Sequence, residues 1–400
     1  MRTNNRIQGN GRNAHQRPPT PLHGARASKR NQRILITGGA GFIGTNLADH
    51  LLSSGKEVVI FDNLSRPGVE NNLNYLCERH GALVHVEIGD TRDAAALETV
   101  VNTVDQVFHF AAQVAVTTSL VDPVTDFEIN LRGTLNLLEA IRAAENPPSL
   151  VFTSTNKVYG ELADLEFRES QTRYEPTVTR LRTQGISESR SLDFHSPYGC
   201  SKGGADQYII DYARIYGLPA VVFRMSCIYG PHQCGTEDQG WVAHFLIKKL
   251  QDEQITIYGN GKQVRDILFV EDLVRAFVLA QASMPTLAGQ AFNIGGGAAN
   301  TVSLMELMKI MEQLDSRRMP IRYSDWRPGD QKYYVSDHSK FTHATGWRPK
   351  VSVQEGVQRL YHWLAEERPR MAKIIVPRKE MPNGSNARSK VSEKRSTRVA

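Results

Sequence analysis

Arg33-Ile-Leu-Ile-Thr37 runs straight into Gly38-Gly-Ala-Gly41-Phe-Ile-Gly44, and the residues that follow carry Leu47, Leu51 and Leu52 at helical spacing. A short apolar strand, a glycine turn and a helix in immediate succession form the arrangement that cradles a pyrophosphate. Gly38 permits the tight turn, Gly41 lets backbone N–H groups approach the phosphates, and Gly44 lets the helix pack closely on the strand. The spacing is Gly-x-x-Gly-x-x-Gly rather than the commoner Gly-x-Gly-x-x-Gly, and a glycine-rich loop alone is a weak signal.

The alternation continues outward from this turn. β-rich apolar runs lie at 57–61, 83–88, 106–110, 150–153 and 220–223. Helical periodicity appears over 44–54, over 130–144 (Leu131, Leu135, Leu138, Ile141) and over 198–216 (Tyr208, Ile209, Tyr212, Ile215). Short strands buried on both faces and alternating with helices predict an α/β fold, a Rossmann-type doubly wound parallel sheet. After about Pro231 the pattern loosens into a smaller mixed lobe. The expected organisation is a dinucleotide-binding domain over 33–230, a mainly substrate-binding lobe over 231–367, and disordered basic ends over 1–32 and 368–400.

Those ends dominate the charge. The whole chain of 400 residues carries +6, but residues 1–32 hold seven Lys and Arg with no acid, and residues 368–400 hold ten against two acids. The middle therefore has 31 basic and 40 acidic side chains, a net charge of −9. A body of that sign is a poor nucleic-acid binder, because phosphate neutralisation needs a basic surface on the fold itself. The acid-free first segment also fits an organellar transit peptide, with a plain solvated extension as the simpler reading. No run approaches the roughly 18 apolar residues of a membrane span, so no membrane partner is expected. Four cysteines are too few for a disulfide framework and suit a reducing compartment such as the cytoplasm.

The second run, Val58-Val-Ile-Phe61, ends in Asp62, 24 residues after Gly38. A carboxylate there accepts hydrogen bonds from adenosine ribose hydroxyls and repels a 2′-phosphate, so NAD is expected rather than NADP; Arg66 stands close enough to blur that preference. Asp90, after the third run, either bonds the adenine amino group or caps the helix beginning near Asp93. Tyr198-Gly-Cys-Ser-Lys202 puts a phenol and an ammonium four apart on one helix face. A free Tyr, with a pKa of about 10, is a poor base; a fixed Lys202 cation beside a positive nicotinamide is expected to favour the phenolate. Thr153-Ser-Thr155 closes the fifth run at the carboxyl edge, where ligands sit in such sheets. Thr155, with Ser154 as the alternative, is expected to hold a substrate hydroxyl against Tyr198.

Gly38–Gly44, Asp62, His109-Phe-Ala-Ala-Gln113, Thr153-Ser-Thr-Asn-Lys-Val-Tyr-Gly160 and Tyr198–Lys202 together resemble the extended short-chain dehydrogenase/reductase superfamily of nucleotide-sugar enzymes, over about 33–365. The resemblance implies Thr155, Tyr198 and Lys202 as catalytic residues and NAD as a recycled prosthetic group. It implies cofactor contacts from Phe42, Ile43, Asn63, Asp90, Thr91, Ala111, Ala112, Gln113 and Asn130 beside Gly38, Gly41, Gly44, Asp62, Tyr198 and Lys202. It also implies a homo-oligomer pairing the helices around 130–144 and 198–216.

Dehydratases of this superfamily carry Thr-Asp-Glu-Val-Tyr-Gly, whose two acids remove water from the sugar. Here Thr155-Asn156-Lys157-Val-Tyr-Gly160 stands instead, and an amide and an ammonium cannot serve as that acid and base. With His195-Ser-Pro-Tyr198, Arg224-Met-Ser-Cys227-Ile-Tyr-Gly-Pro231 and Gly235-Thr-Glu-Asp-Gln-Gly-Trp-Val-Ala-His244, the chain looks most like the superfamily's 2-epimerases, which implies a CDP-sugar oxidised and re-reduced at C2. Substrate contacts are then implied for Asn156, Lys157, Met225, Cys227, Gln239, Arg265, Arg327 and Asp330. Arg265 is the expected pyrophosphate grip, a task that suits a guanidinium. Cys227 stands where related 4-epimerases have Asn. The insertion 161–196 is expected to cover the sugar, with His195 near it. Cys227, His232 and Cys234 lack a fourth ligand and the usual spacing, so no metal site is expected. A 4-epimerase or dehydratase on the same fold is the alternative. A non-catalytic nucleic-acid binder using the basic tails is the second, against which the intact Thr155, Tyr198 and Lys202 speak.

Overall fold

In the first strand, Ile34 and Ile36 pack into one hydrophobic cluster and Leu35 into another. A strand that is apolar on both faces must be covered on both, which selects the centre of a parallel sheet. The structure, a computed structural model, describes residues 32–371 except Ser316 and Pro328. The expected disordered ends fall outside these residues, with one correction: the last helix, Val353–Met371, runs through the point at 368 where the basic tail was to begin.

The strands are β1 (Arg33–Thr37), β2 (Glu57–Asp62), β3 (Val84–Ile88), β4 (Gln106–His109) and β5 (Ser149–Thr155), then β6 (Phe167–Glu169) and β7 (Tyr174–Pro176) as a small hairpin. They continue as β8 (Ala220–Met225), β9 (Cys227–Tyr229), β10 (Ile255–Tyr258), β11 (Val264–Phe269), β12 (Ala291–Ile294), β13 (Thr301–Ser303), β14 (Ile321–Ser324) and β15 (Tyr333–Tyr334). Seven form the main sheet in the order β12-β8-β5-β4-β1-β2-β3, every pair parallel. The order reverses at β1, so a crevice opens between the carboxyl ends of β1 and β4, where ligands bind in such sheets.

Helices α1 (Phe42–Ser53) and α2 (Val69–His80) cover one face, and α3 (Ala94–Val101) covers the other. The short α4 (Val116–Val121) and α5 (Pro123–Phe127) lead into α6 (Gly133–Ala143), and α7 (Thr179–Thr183) precedes the long α8 (Ser196–Tyr216). α6 and α8 pack on the α3 face, through Leu137, Leu138, Ile141, Ala205, Ile209 and Tyr212. Then come α9 (Trp241–Leu250) and α10 (Val270–Ala282), and Leu273, Phe277 and Ala280 of α10 join the α1 face. Among the described residues no helix is long and apolar enough to cross a membrane.

Several boundaries differ from the sequence reading for identifiable reasons. β5 extends through Ser154 and Thr155, because both pair with β8. The helix expected from 130 begins as a π-helical turn, Glu128–Arg132, and becomes regular only at Gly133. On α8, Tyr208 and Ile215 are exposed, whereas Ile209 and Tyr212 are buried. The stretch after Pro231 is not all lobe: β12 and α10 return to the main sheet, and residues 32–371 belong to one compact unit. The small lobe is built around β11, which pairs with β9, β13 and β15.

Candidate active site

The glycine turn lies at the mouth of the crevice. Gly38 has φ +69°, and a Cβ there would sit 2.7 Å from Ala111 N. A Cβ on Gly44 would sit 2.6 Å from Gly39 Cα, so the first turn of α1 passes over the strand end only without a side chain. Gly41 is the N-cap of α1 with extended backbone, and no described side chain caps it. Helix N–H groups at that end are left to a ligand, the place an anion prefers.

Asp62 ends β2 against this turn. Its Oδ2 accepts from Ala40 N at 3.1 Å and its Oδ1 from Leu64 N at 2.9 Å. Burial pushes its pKa up, and the two backbone donors oppose that. Asp90 is not the helix cap. Asp93 caps α3, accepting from Ala95 N and Ala96 N at 3.1 Å each. Asp90 instead accepts from Arg92 Nη2 and Asn63 Nδ2, both at 2.8 Å, and the Arg92 guanidinium holds it well below the usual carboxylate range.

One cavity of about 520 Å³ runs from the glycine turn to the small lobe. It gathers Gly38, Gly41, Phe42, Ile43, Gly44, Asp62, Asn63, Asp90, Thr91, Ala111 and Ala112 at one end. Thr155, Tyr198 and Lys202 line it as well, as do Asn156, Lys157, Met225, Cys227, Gln239, Arg265, Arg327 and Asp330. Gln113 and Asn130 are not among its lining residues. They bond to each other: Gln113 N donates to Asn130 Oδ1 at 2.9 Å, and Asn130 Nδ2 donates to Gln113 O at 3.0 Å and to Asp126 Oδ1 at 3.1 Å. Asp126 also accepts from Ser201 Oγ at 2.5 Å, which ties α5 to α8 between Tyr198 and Lys202. Sequence reasoning misses this network; Asp126 gives no local signal that it is buried.

His109 braces the same wall. Thr134 Oγ1 donates to Asn130 O at 2.6 Å, so its hydroxyl accepts from His109 Nε2, at 3.0 Å. Nδ1 is then the acceptor for Thr37 Oγ1, at 2.6 Å. Burial pushes the His109 pKa down to about 3, so the ring is neutral and structural at physiological pH.

Tyr198 and Lys202 face the cavity from adjacent turns of α8. Burial pushes Tyr198 up to about 12, opposed by a hydrogen bond from Thr155 and reinforced by Asp126. The same burial pushes Lys202 down to about 7, with Asp206 and Asp126 opposing. Lys202 is not among the groups that shift Tyr198 here. In this cavity the amine is itself inclined to lose its proton, so it is a weak source of positive charge. Ser154 Oγ and Thr117 Oγ1 are buried, line the cavity and have no hydrogen-bond partner among the described residues. Orphaned hydroxyls of this kind fit a polar ligand.

Among the other lining residues, Arg265 Nη2 meets Asp330 Oδ1 at 2.7 Å, and Lys157 Nζ donates to Gly329 O at 3.0 Å. Asn156 Nδ2 donates to Gln331 Oε1 at 3.2 Å. Arg327 stacks 3.8 Å over the Tyr258 ring and donates to Glu237 O at 3.0 Å. Arg66 donates to Gln239 Oε1, joining the loop after β2 to the segment before α9. Trp241 Nε1 donates to Cys227 Sγ at 3.5 Å. The insertion does not cover this cavity: none of the described residues 161–196 lines it. It docks on the small lobe, where Tyr174 N donates to Lys262 O at 2.9 Å and Arg173 Nε to Glu306 Oε1 at 2.8 Å. His195 is exposed and pairs with Asp193 at 3.2 Å.

A glycine turn opening a helix, a Tyr–Lys pair on one helix and a small lobe contributing to the same cavity define an extended short-chain dehydrogenase/reductase. The model of the GDP-mannose 4,6 dehydratase family matches residues 35–360, and the chain belongs to that family. The chain is 47% identical over 337 residues to a CDP-paratose 2-epimerase of Salmonella typhi, covering 83% of this chain and 98% of that relative. The UDP-glucose 4-epimerase of Thermotoga maritima, solved with UDP-glucose, matches with a TM-score of 0.71 at 31% identity, over 84% of this chain and 99% of that one. A dTDP-glucose 4,6-dehydratase of Streptomyces venezuelae, solved with NAD bound, matches with a TM-score of 0.73 at 29% identity, over 86% and 100%.

Proposed function

We propose that the chain is an NAD-dependent nucleotide-sugar epimerase, and specifically that it converts CDP-paratose to CDP-tyvelose by inverting C2. The observation that carries the epimerase reading is the gathering of Thr155, Tyr198 and Lys202 on the cavity that begins at the glycine cradle. Against dehydration stands the neighbouring pair. Asn156 and Lys157 occupy the place of the acid pair, and each donates to the late loop, to Gln331 and to Gly329 O. The choice of CDP-paratose rests on the 47% identity to the Salmonella typhi enzyme.

The residues present fit NAD: a turn that a Cβ would fill, an uncapped helix N-terminus and a carboxylate at the end of β2. Bound there, NAD supplies a hydride acceptor that becomes a donor, and a positive charge. The chain's own residues handle the proton. Tyr198, as phenolate, takes it from the sugar hydroxyl, while Thr155 or the orphaned Ser154 holds that hydroxyl in reach. The resulting keto sugar turns its other face within the cavity, and Tyr198 returns the proton to the new alkoxide. The phenolate is steadied by the positive charge of bound NAD, and the protonated share of Lys202 adds to it. Exposed Val121, Val124 and Phe127 on α4 and α5, with Tyr208, Ile215 and Tyr216 on α8, support a homo-oligomer.

CDP-paratose incubated with the purified protein in D2O is expected to give CDP-tyvelose, read by NMR, with no solvent deuterium at C2, because a transferred hydride does not exchange with solvent. A dehydrated keto sugar, or turnover of UDP-galactose alone, would replace the C2 assignment with the corresponding reaction. Asp62→Ala is expected to narrow the preference for NAD over NADP by about 10–100-fold, the scale of a lost charged hydrogen bond. The ratio of the two kcat/KM values measures it, and a native protein that prefers NADP removes Asp62 from ribose recognition.

A further inference from the structure

Lys157 stands two residues after Thr155, on the short 3₁₀ turn Asn156–Tyr159 that follows β5. That turn is fastened to its surroundings. Thr155 Oγ1 accepts from Lys157 N at 3.2 Å, and Gln331 bonds both Asn156 and Gly160. The Lys157 amine is carried to the same part of the cavity as Arg265, from a different element. One of its three N–H donors goes to Gly329 O at 3.0 Å, which leaves two for a ligand. The adjoining carboxylate, Asp330, is already paired with Arg265.

We propose that Lys157 is a second diphosphate-binding cation of the substrate half, acting beside Arg265. The inference rests on the nucleotide-sugar reading of the same cavity. Two cations from separate elements meet at this wall; Asp330 pairs with Arg265, and Glu161 acts on Lys157 without a hydrogen bond to its amine. A nucleoside diphosphate offers acceptor oxygens to the two donors that Lys157 has left and to the Arg265 guanidinium. A Lys meets it as a point charge with rotatable donors, and Arg265 meets it as a planar fork.

The electrical surroundings of Lys157 make the assignment measurable. Burial, and then the Arg265 cation on β11, push its pKa down to about 8, while Asp330 on the late loop, Cys227 on β9 and Glu161 after the turn oppose. The amine is therefore charged below about pH 8 and neutral above it. A bound diphosphate favours the charged form, so binding should take up a proton near pH 8 and weaken as pH rises. The terminal phosphate of a nucleotide titrates near about pH 6, so it does not interfere above pH 7.

The test is calorimetric binding of CDP itself, with no sugar and no turnover, to native protein, Lys157→Met and Lys157→Arg between pH 7 and pH 9.5. Native affinity is expected to fall above pH 8. Lys157→Met should bind CDP about 10–100-fold more weakly at pH 7, the effect of losing one charged hydrogen bond, and show no fall near pH 8. Lys157→Arg should keep near-native affinity at pH 7 and also lose the fall, because a guanidinium does not titrate there. Unchanged NAD affinity in both variants shows that the fold is intact. Lys157→Met that binds CDP within twofold of native overturns the proposal and leaves the epimerase reading standing. A native protein that binds neither CDP nor UDP overturns that reading and this proposal with it.

Discussion

Tyr198→Phe is expected to bind NAD as the native protein does and to lose turnover by about 10²–10⁴-fold, the usual contribution of a positioned acid–base group. The substitution removes one oxygen from a buried side chain on α8 and leaves its ring in place. The bonds behind it, Ser201 Oγ to Asp126 at 2.5 Å and Tyr198 N to Ser119 Oγ at 3.2 Å, do not involve the phenol. The protein should therefore stay folded and keep its cavity. Single-turnover absorbance at 340 nm separates this from a binding defect, because the variant should fail to reduce bound NAD even at saturating sugar. A variant with native kcat would take Tyr198 out of the chemistry.

The same residue shows where a sequence stops being informative. Two positions four apart on a helix guarantee a shared face, so the Tyr198–Lys202 pair is legible from its spacing alone. Its electrostatics are not. The pKa of Tyr198, up to about 12, and that of Lys202, down to about 7, follow from how deeply both are enclosed. Enclosure depends on residues far away in the chain, which a spacing rule does not contain.

A similar division runs through the fold. β1, the glycine turn and Asp62 are legible because their geometry is local: in the first of them a strand, a positive φ at Gly38 and a helix start occupy twelve consecutive residues. The bonds that join Gln113, Asn130 and Asp126 are not legible, because they link residues up to 17 positions apart that carry no shared period. The insertion, by contrast, misleads. Its length marks it as a cover, but Arg173 and Tyr174 find partners at Glu306 and Lys262, more than 80 positions away, and these hold it to the small lobe. β12 is not legible at all, because four buried residues, Ala291–Ile294, carry too little period to separate a sheet strand from lobe packing.

Asp206→Ala is expected to lower the free energy of unfolding by about 3–5 kcal/mol, since it strands a buried charge. Arg224 on β8 meets Asp206 on α8 through two bonds, Nε to Oδ2 at 2.8 Å and Nη2 to Oδ1 at 2.9 Å, and both side chains are enclosed. Arg224 Nη1 also reaches Tyr159 Oη at 3.2 Å, and Tyr159 donates to Asn293 Oδ1 at 2.8 Å, so the pair anchors α8, β8, the turn after β5 and β12 together. Urea denaturation measures the loss, and the double variant Asp206→Leu with Arg224→Met should recover much of it, because no charge is then left unpaired. Activity should not recover in parallel. Asp206 lies one turn beyond Lys202 and is the larger of the two carboxylate influences holding that amine's pKa up against burial. Without it the Lys202 pKa falls further below about 7, so less of the ammonium survives at neutral pH. The pH range over which the double variant turns over should accordingly shift to the acid side of the native range. A double variant with restored stability and a native pH profile would reduce Asp206 to a purely structural brace and remove the Lys202 charge from the steps that limit turnover.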